Sequence, residues 1–113
     1  MEEYHFEMDK EQVDNLKPMN NHVVLELKDD RKMHNGILLV KMTPLIPDRG
    51  VVVKISDSMK NEEVKVGSKV VFEKYMGRKI FTKDRTYLIL HEDHLFCVLP
   101  DDADVGIKYD CKL

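Results

Sequence analysis

The chain has 113 residues, 42% of them hydrophobic and 35% charged, with a net charge of −3. A chain of this size builds one domain with a modest core and gains from oligomerisation, and its composition is too apolar for a wholly disordered protein. The charge balance supplies no basic field for nucleic acid or an anionic membrane, and no apolar run reaches the ~20 residues of a membrane helix.

Residues 1–16 open the chain. Tyr4, Phe6 and Met8 alternate among acidic residues, which predicts a flexible N-terminal extension. Met1-Glu2-Glu3-Tyr4-His5 has neither the basic nor the apolar stretch of a secretory signal, so a cytoplasmic location is expected. After Pro18, Val23-Val24-Leu25-Glu26-Leu27 reads as a strand bounded by Asn20-Asn21 and Asp29-Asp30. The stretch 29–48 is of another kind. It opens within a charged run, Lys28 to Lys32, and Asn35-Gly36 is a turn signal. Pro44 and Pro47 exclude a regular helix and disfavour a central strand. In its middle stand four large apolar residues, Ile37-Leu38-Leu39-Val40. Such a run must be buried, either in the chain's own core or in another protein.

The second half is a series of short strand-like runs separated by turns. Val51-Val52-Val53-Lys54-Ile55 follows Gly50, and a polar turn runs from Asp57 to Asn61. Val64-Lys65-Val66 and Val70-Val71-Phe72 flank Gly67, and Gly77 precedes Lys79-Ile80-Phe81. Tyr87-Leu88-Ile89-Leu90 and Leu95 to Leu99 complete the pattern. Many close-spaced β-rich runs without a sustained helical period predict an all-β fold, a small barrel or sandwich. The segment 100–113 is an acidic C-terminal tail, with Asp101, Asp102 and Asp104. Weak alternation of Val105, Ile107 and Tyr109 allows a short edge strand there.

Catalytic signatures are missing from the sequence: it has no Gly-rich phosphate loop and no nucleophile elbow. The chain is therefore read as a non-enzyme with no cofactor. His91, His94 and Cys97 stand three apart, a ligand spacing on a helix but not on a strand, where residues three apart face opposite ways. No metal site is assigned to them, and Cys97 is expected in the core or half-buried. Cys97 and Cys111 are the only cysteines and read as two free thiols.

The order of these pieces resembles the GroES co-chaperonin family over most of residues 17–99. Lys17-Pro18-Met19 with His22-Val23-Val24-Leu25 looks like the family's opening Arg-Pro-Leu and first strand. Asn35-Gly36-Ile37-Leu38-Leu39 resembles the Gly-Gly-Ile-Val-Leu of its mobile loop. Arg49-Gly50-Val51-Val52-Val53 resembles the Arg-Gly-x-Val-x-x-Val that resumes the barrel. Val64-Lys65-Val66-Gly67-Ser68-Lys69-Val70 is similar to Val-Lys-x-Gly-Asp-x-Val, with Ser68 in place of the preferred Asp. Tyr75-Met76-Gly77 looks like a Tyr-Gly-Gly found in some members. The six residues Ser58 to Glu63 are short where typical members insert a roof hairpin, and both chain ends are extended, which resembles bacteriophage-encoded members more than cellular ones.

The resemblance implies a small GroES-like β-barrel over 17–99, with a long mobile loop at about 29–48 and a shortened roof hairpin. It implies a homo-heptameric ring that caps a GroEL-type chaperonin carrying ATP and encloses substrate protein for folding, in the host cytoplasm if the chain is phage-encoded. Gly36, Ile37, Leu38 and Leu39 would be the chaperonin-binding residues. In the family the last strand pairs with the next subunit's first, which would match Leu95–Leu99 with the region around Pro18–Val24. Burying each large apolar side chain gives roughly 1.5–3 kcal/mol, while ordering backbone costs about 1–2 kcal/mol per residue. One loop should then bind weakly and a ring of them firmly. The alternative is a structural or assembly barrel with Ile37–Val40 in its own core.

Overall fold

The unbroken apolar run Val23-Val24-Leu25 calls for burial on both faces, and a strand in the middle of a sheet supplies it. The computed structural model describes residues 5–28, 42–44, 47–83, 85–106 and 109–111. In chain order the elements are β1 (His5–Glu7), α1 (Lys10–Asp14), β2 (His22–Leu27), β3 (Met42–Pro44), β4 (Arg49–Ile55) and β5 (Lys69–Phe72). Then come β6 (Arg78–Phe81), β7 (Thr86–His91), a 3-10 turn (Glu92–His94), β8 (Leu95–Leu99) and β9 (Tyr109–Cys111). Seven strands form one sheet in the order β1-β6-β7-β2-β4-β5-β8, and β3 and β9 form a separate ribbon. All pairs in the large sheet are antiparallel except β1 with β6, which is parallel. The architecture is all-β with little helix, as the sequence predicts.

Strand β2 is the centre. It pairs with β7 on one side, Val23 opposite Leu90, and with β4 on the other, Val23 opposite Ile55. Alternation then sorts its side chains into two cores. Val23, Leu25 and Leu27 join Val52, Val64, Val70, Phe72, Leu88 and Leu90 in the larger one. Val24 turns the other way and meets Val13, Ile80 and Tyr87 in the smaller one. Neighbouring positions on β4 and β7 divide likewise: Val52 and Leu88 serve the first core, Val53 and Tyr87 the second.

The second core needs residues expected to be flexible. The acidic composition of 1–16 predicts flexibility, but within it β1 adds to β6 and α1 lays Val13 against the sheet. Val13 is 2% exposed. Gln12 Oε1 accepts the backbone N–H of Asp9 at 2.9 Å, one half of a capping box, and Lys10 reaches Asp14 at 2.7 Å one turn on. Five helical residues carry too short a period to register as amphipathic, so one buried valine decides the placement.

Two further expectations change. Val64-Lys65-Val66 reads as a strand but lies in turns, because Gly67 (φ +95°) reverses the chain there; only Val64 reaches the core. Cys97 is exposed, because the strand β8 that carries it is an end strand with Phe96, Cys97 and Val98 all exposed. Gly77 (φ +88°) is required at the entry to β6, since a Cβ would sit 2.5 Å from the carbonyl oxygen of Ile89.

Candidate functional site

The apolar run and its flanking turn, Gly36, Ile37, Leu38, Leu39 and Val40, lie outside the described residues. The structure does define where this segment leaves the fold and where it returns. It leaves after β2, whose last residue Leu27 is 3% exposed and fixed in the main core. The next residue, Lys28, makes a parallel bridge to Gly106. It returns through β3, which pairs with β9: Met42 lies opposite Cys111, Thr43 opposite Asp110 and Pro44 opposite Tyr109. Pro44 thus stands in a strand inside the stretch 29–48 expected to be a loop throughout. A two-stranded ribbon has only edges, where proline is tolerated. The tail beyond Pro100 is likewise more than an acidic appendage, since it supplies β9.

On the turn side of the sheet, the connection from β4 to β5 contains no strand. Glu92 holds it down. Its carboxylate accepts the side-chain N–H of Asn21 at 2.5 Å and the backbone N–H groups of Lys60 at 3.2 Å and Asn61 at 3.1 Å. Burial acts to raise the Glu92 pKa, but these hydrogen bonds outweigh it and hold the carboxyl below its usual range. Ser58 Oγ accepts the Asn21 backbone N–H at 3.0 Å and shares a 2.7 Å bond with Ser56 Oγ. Asn20 and Asn21 reach these partners with φ of 55° and 63°, a conformation that asparagine tolerates. The sequence signal was the Asn-Asn pair; the role of Glu92 had none.

The three residues His91, His94 and Cys97 do not converge. His91 Nδ1 accepts the Asp93 backbone N–H at 3.0 Å, and the His94 ring lies 3.4 Å from Glu73 Oε1. The His91 ring meets His22 edge-on at 5.1 Å and His94 edge-on at 6.4 Å, and Cys97 joins neither. Among the described residues no group of three His, Cys, Asp or Glu is placed to hold a metal ion.

The remaining feature is the end strand β8. It pairs with β5, Val70 opposite Val98, and its other edge has no strand partner among the described residues. Phe96 is 64% exposed and Val98 42%, an apolar, hydrogen-bond-ready edge of the kind proteins ordinarily blunt. Met19, 70% exposed, precedes β2. No helix among the described residues is long and apolar enough to cross a membrane.

Comparison with known proteins places this geometry. The family model for the chaperonin 10 kDa subunit matches residues 15–99. The co-chaperonin GroES of Oenococcus oeni is 36% identical over 90 residues, 74% of this chain and 99% of its own length. That of Thermodesulfovibrio yellowstonii is 35% identical, covering 74% of this chain and 96% of its own. That of Staphylococcus haemolyticus is 32% identical, covering 76% and 99%. Enzymatic activity is not a general property of this family. The chain belongs to the chaperonin 10 kDa subunit family, and it is a co-chaperonin.

Proposed function

We propose that the chain forms a seven-membered ring that caps a GroEL-type chaperonin in a nucleotide-dependent manner, in the cytoplasm, and encloses substrate protein while it folds. The chaperonin binds the ATP; this chain hydrolyses nothing. Gly36, Ile37, Leu38 and Leu39 are the docking residues. The observation that carries this reading is the family match across 15–99, which includes Asn35-Gly36-Ile37-Leu38-Leu39 between β2 and β3. Three consecutive large apolar residues entering an apolar groove give each subunit a weak, releasable contact, and a ring multiplies it.

Ring closure uses the exposed edge of β8. Its partner cannot be β2 itself, because His22–Leu27 is already paired to β7 along its whole length and to β4 over much of it. The neighbour's surface is therefore the stretch just ahead of β2, around Pro18 and Met19, a narrower target than Pro18–Val24. Such a head-to-tail contact is heterologous and closes when the rotation fits.

The test is Leu38→Asp. A charge at an exposed position costs the fold little, while an unpaired carboxylate in an apolar groove costs several kcal/mol. The variant ring should melt as the wild type does and fail to cap a chaperonin with ATP, seen by electron microscopy. A variant that melts far lower would place Ile37–Val40 in the chain's own core, and one that still caps normally would remove Leu38 from the docking site.

A further inference from the structure

The family match ends at Leu99, yet the chain continues and its continuation is built into the fold. Lys69 Nζ donates to the carbonyl oxygens of Asp101 and Ala103, the latter at 2.9 Å. Arg49 Nη1 donates to the carbonyl of Asp104 at 3.4 Å, and Val105 is 8% exposed. Gly106 N–H is held by Asp104 Oδ1 at 2.9 Å. From there the chain touches both ends of one segment: Gly106 bridges Lys28 at its start, and β9 pairs with β3 at its end.

We propose that Gly106 and β9 act as a strap that positions the chaperonin-docking segment by holding both of its ends, Lys28 at the start and β3 at the return. The proposal rests on the docking role given above to Gly36–Leu39. The main sheet anchors the chain at Leu27 and again at Arg49, so without the strap the span between anchors is 28–48. With it the span is 29–41. Loop-closure entropy grows as the logarithm of length, and this shortening makes a docking geometry about twofold more accessible per segment. The factor compounds over a ring, reaching tenfold or more in capping affinity. Positioning acts here through the ends of the segment, and neither Gly106 nor β9 need touch the chaperonin.

The register offers a way to lock the strap. Met42 lies directly opposite Cys111 in an antiparallel pair, where Cβ atoms stand about 4.5–5.5 Å apart and a disulfide can form with a small adjustment. The experiment compares three rings: the full chain, a chain ending at Gly106, and Met42→Cys in a Cys97→Ser background after mild oxidation. Ending at Gly106 keeps Val105, so the melting temperature should fall by only a few degrees. Trypsin should cut at Arg31, Lys32 and Lys41 several-fold faster in the shortened chain and no faster than wild type in the oxidised variant. Capping of a chaperonin with ATP should weaken at least tenfold on shortening and persist in the oxidised variant.

Unchanged cleavage rates and unchanged capping on shortening would overturn the strap. So would loss of capping on oxidation that reduction restores, since the strap would then have to open. Should the shortened chain not fold, the oxidised variant decides alone. If the full chain itself fails to cap, the docking role falls, and with it the positioning; the trypsin rates then still report whether the strap holds the ends.

Discussion

Glu92 and Asn21 stand 71 positions apart in the chain, and one short hydrogen bond joins their side chains. The same carboxylate takes two backbone N–H groups from the connection between β4 and β5, so both of its oxygens are occupied. Glu92→Gln replaces one acceptor by a donor facing N–H groups. A loss of about 1 kcal/mol is expected, or a melting temperature roughly 5 °C lower at pH 7. The folded-state pKa lies below the usual 4.5. The stabilisation is therefore present above that value and lost as pH falls through the lower, folded one. Melts at pH 7 and at successively lower pH should show wild type and variant converging; a constant gap would mean that the charge is not what holds the turn.

Gly77→Ala should cost about 2–3 kcal/mol. It forces a side chain to φ +88° and brings its Cβ to 2.5 Å from a backbone oxygen. Gly67→Ala is the control, with φ +95° but open space around it, and should cost about 1 kcal/mol. Denaturant titration of both separates backbone strain from steric conflict, and equal losses would show that the approach to Ile89 is not limiting.

Val13→Ala should cost about 2 kcal/mol, the value of two buried methyl groups and the space they leave. Val13 is 2% exposed against Val24, Ile80 and Tyr87. No change in thermal stability would return the N-terminal segment to the role of a loose appendage.

Phe96→Glu should leave the subunit folded and break the ring. Phe96 is 64% exposed, so the fold gives up little. Across a ring contact the same carboxylate would be buried without a partner. Native mass spectrometry should find the monomer where wild type gives the ring, and an intact variant ring would move the interface away from β8.

How much of this was legible in the sequence depends on how far each residue's partner lies. The strands β2, β4, β5 and β7 announce themselves through local apolar runs, and turns through Gly67 and Gly77. Family resemblance then supplied the order. Val13 was hidden because its partners, Val24, Ile80 and Tyr87, are distant in the chain and its own helix spans barely more than one turn. Glu92 was hidden for the same reason, being one acidic residue among 21 acidic side chains. The strand β9 showed only as weak alternation, since three residues are too few for a period. The docking role of Gly36, Ile37, Leu38 and Leu39 comes from family resemblance alone, and these residues lie outside the described ones.

Strand β1 has a consequence for solubility. A sheet with two long bare margins is a template for stacking copies into fibrils. The N-terminal segment covers β6 with a strand only three residues long, which ends on the exposed, acidic Glu7. A neighbour would find little there to pair with and a like charge to repel it. One margin is thus retired within each subunit, and the apolar margin at β8 can stay bare at less risk, because copies that meet there have no matching second edge along which to keep growing.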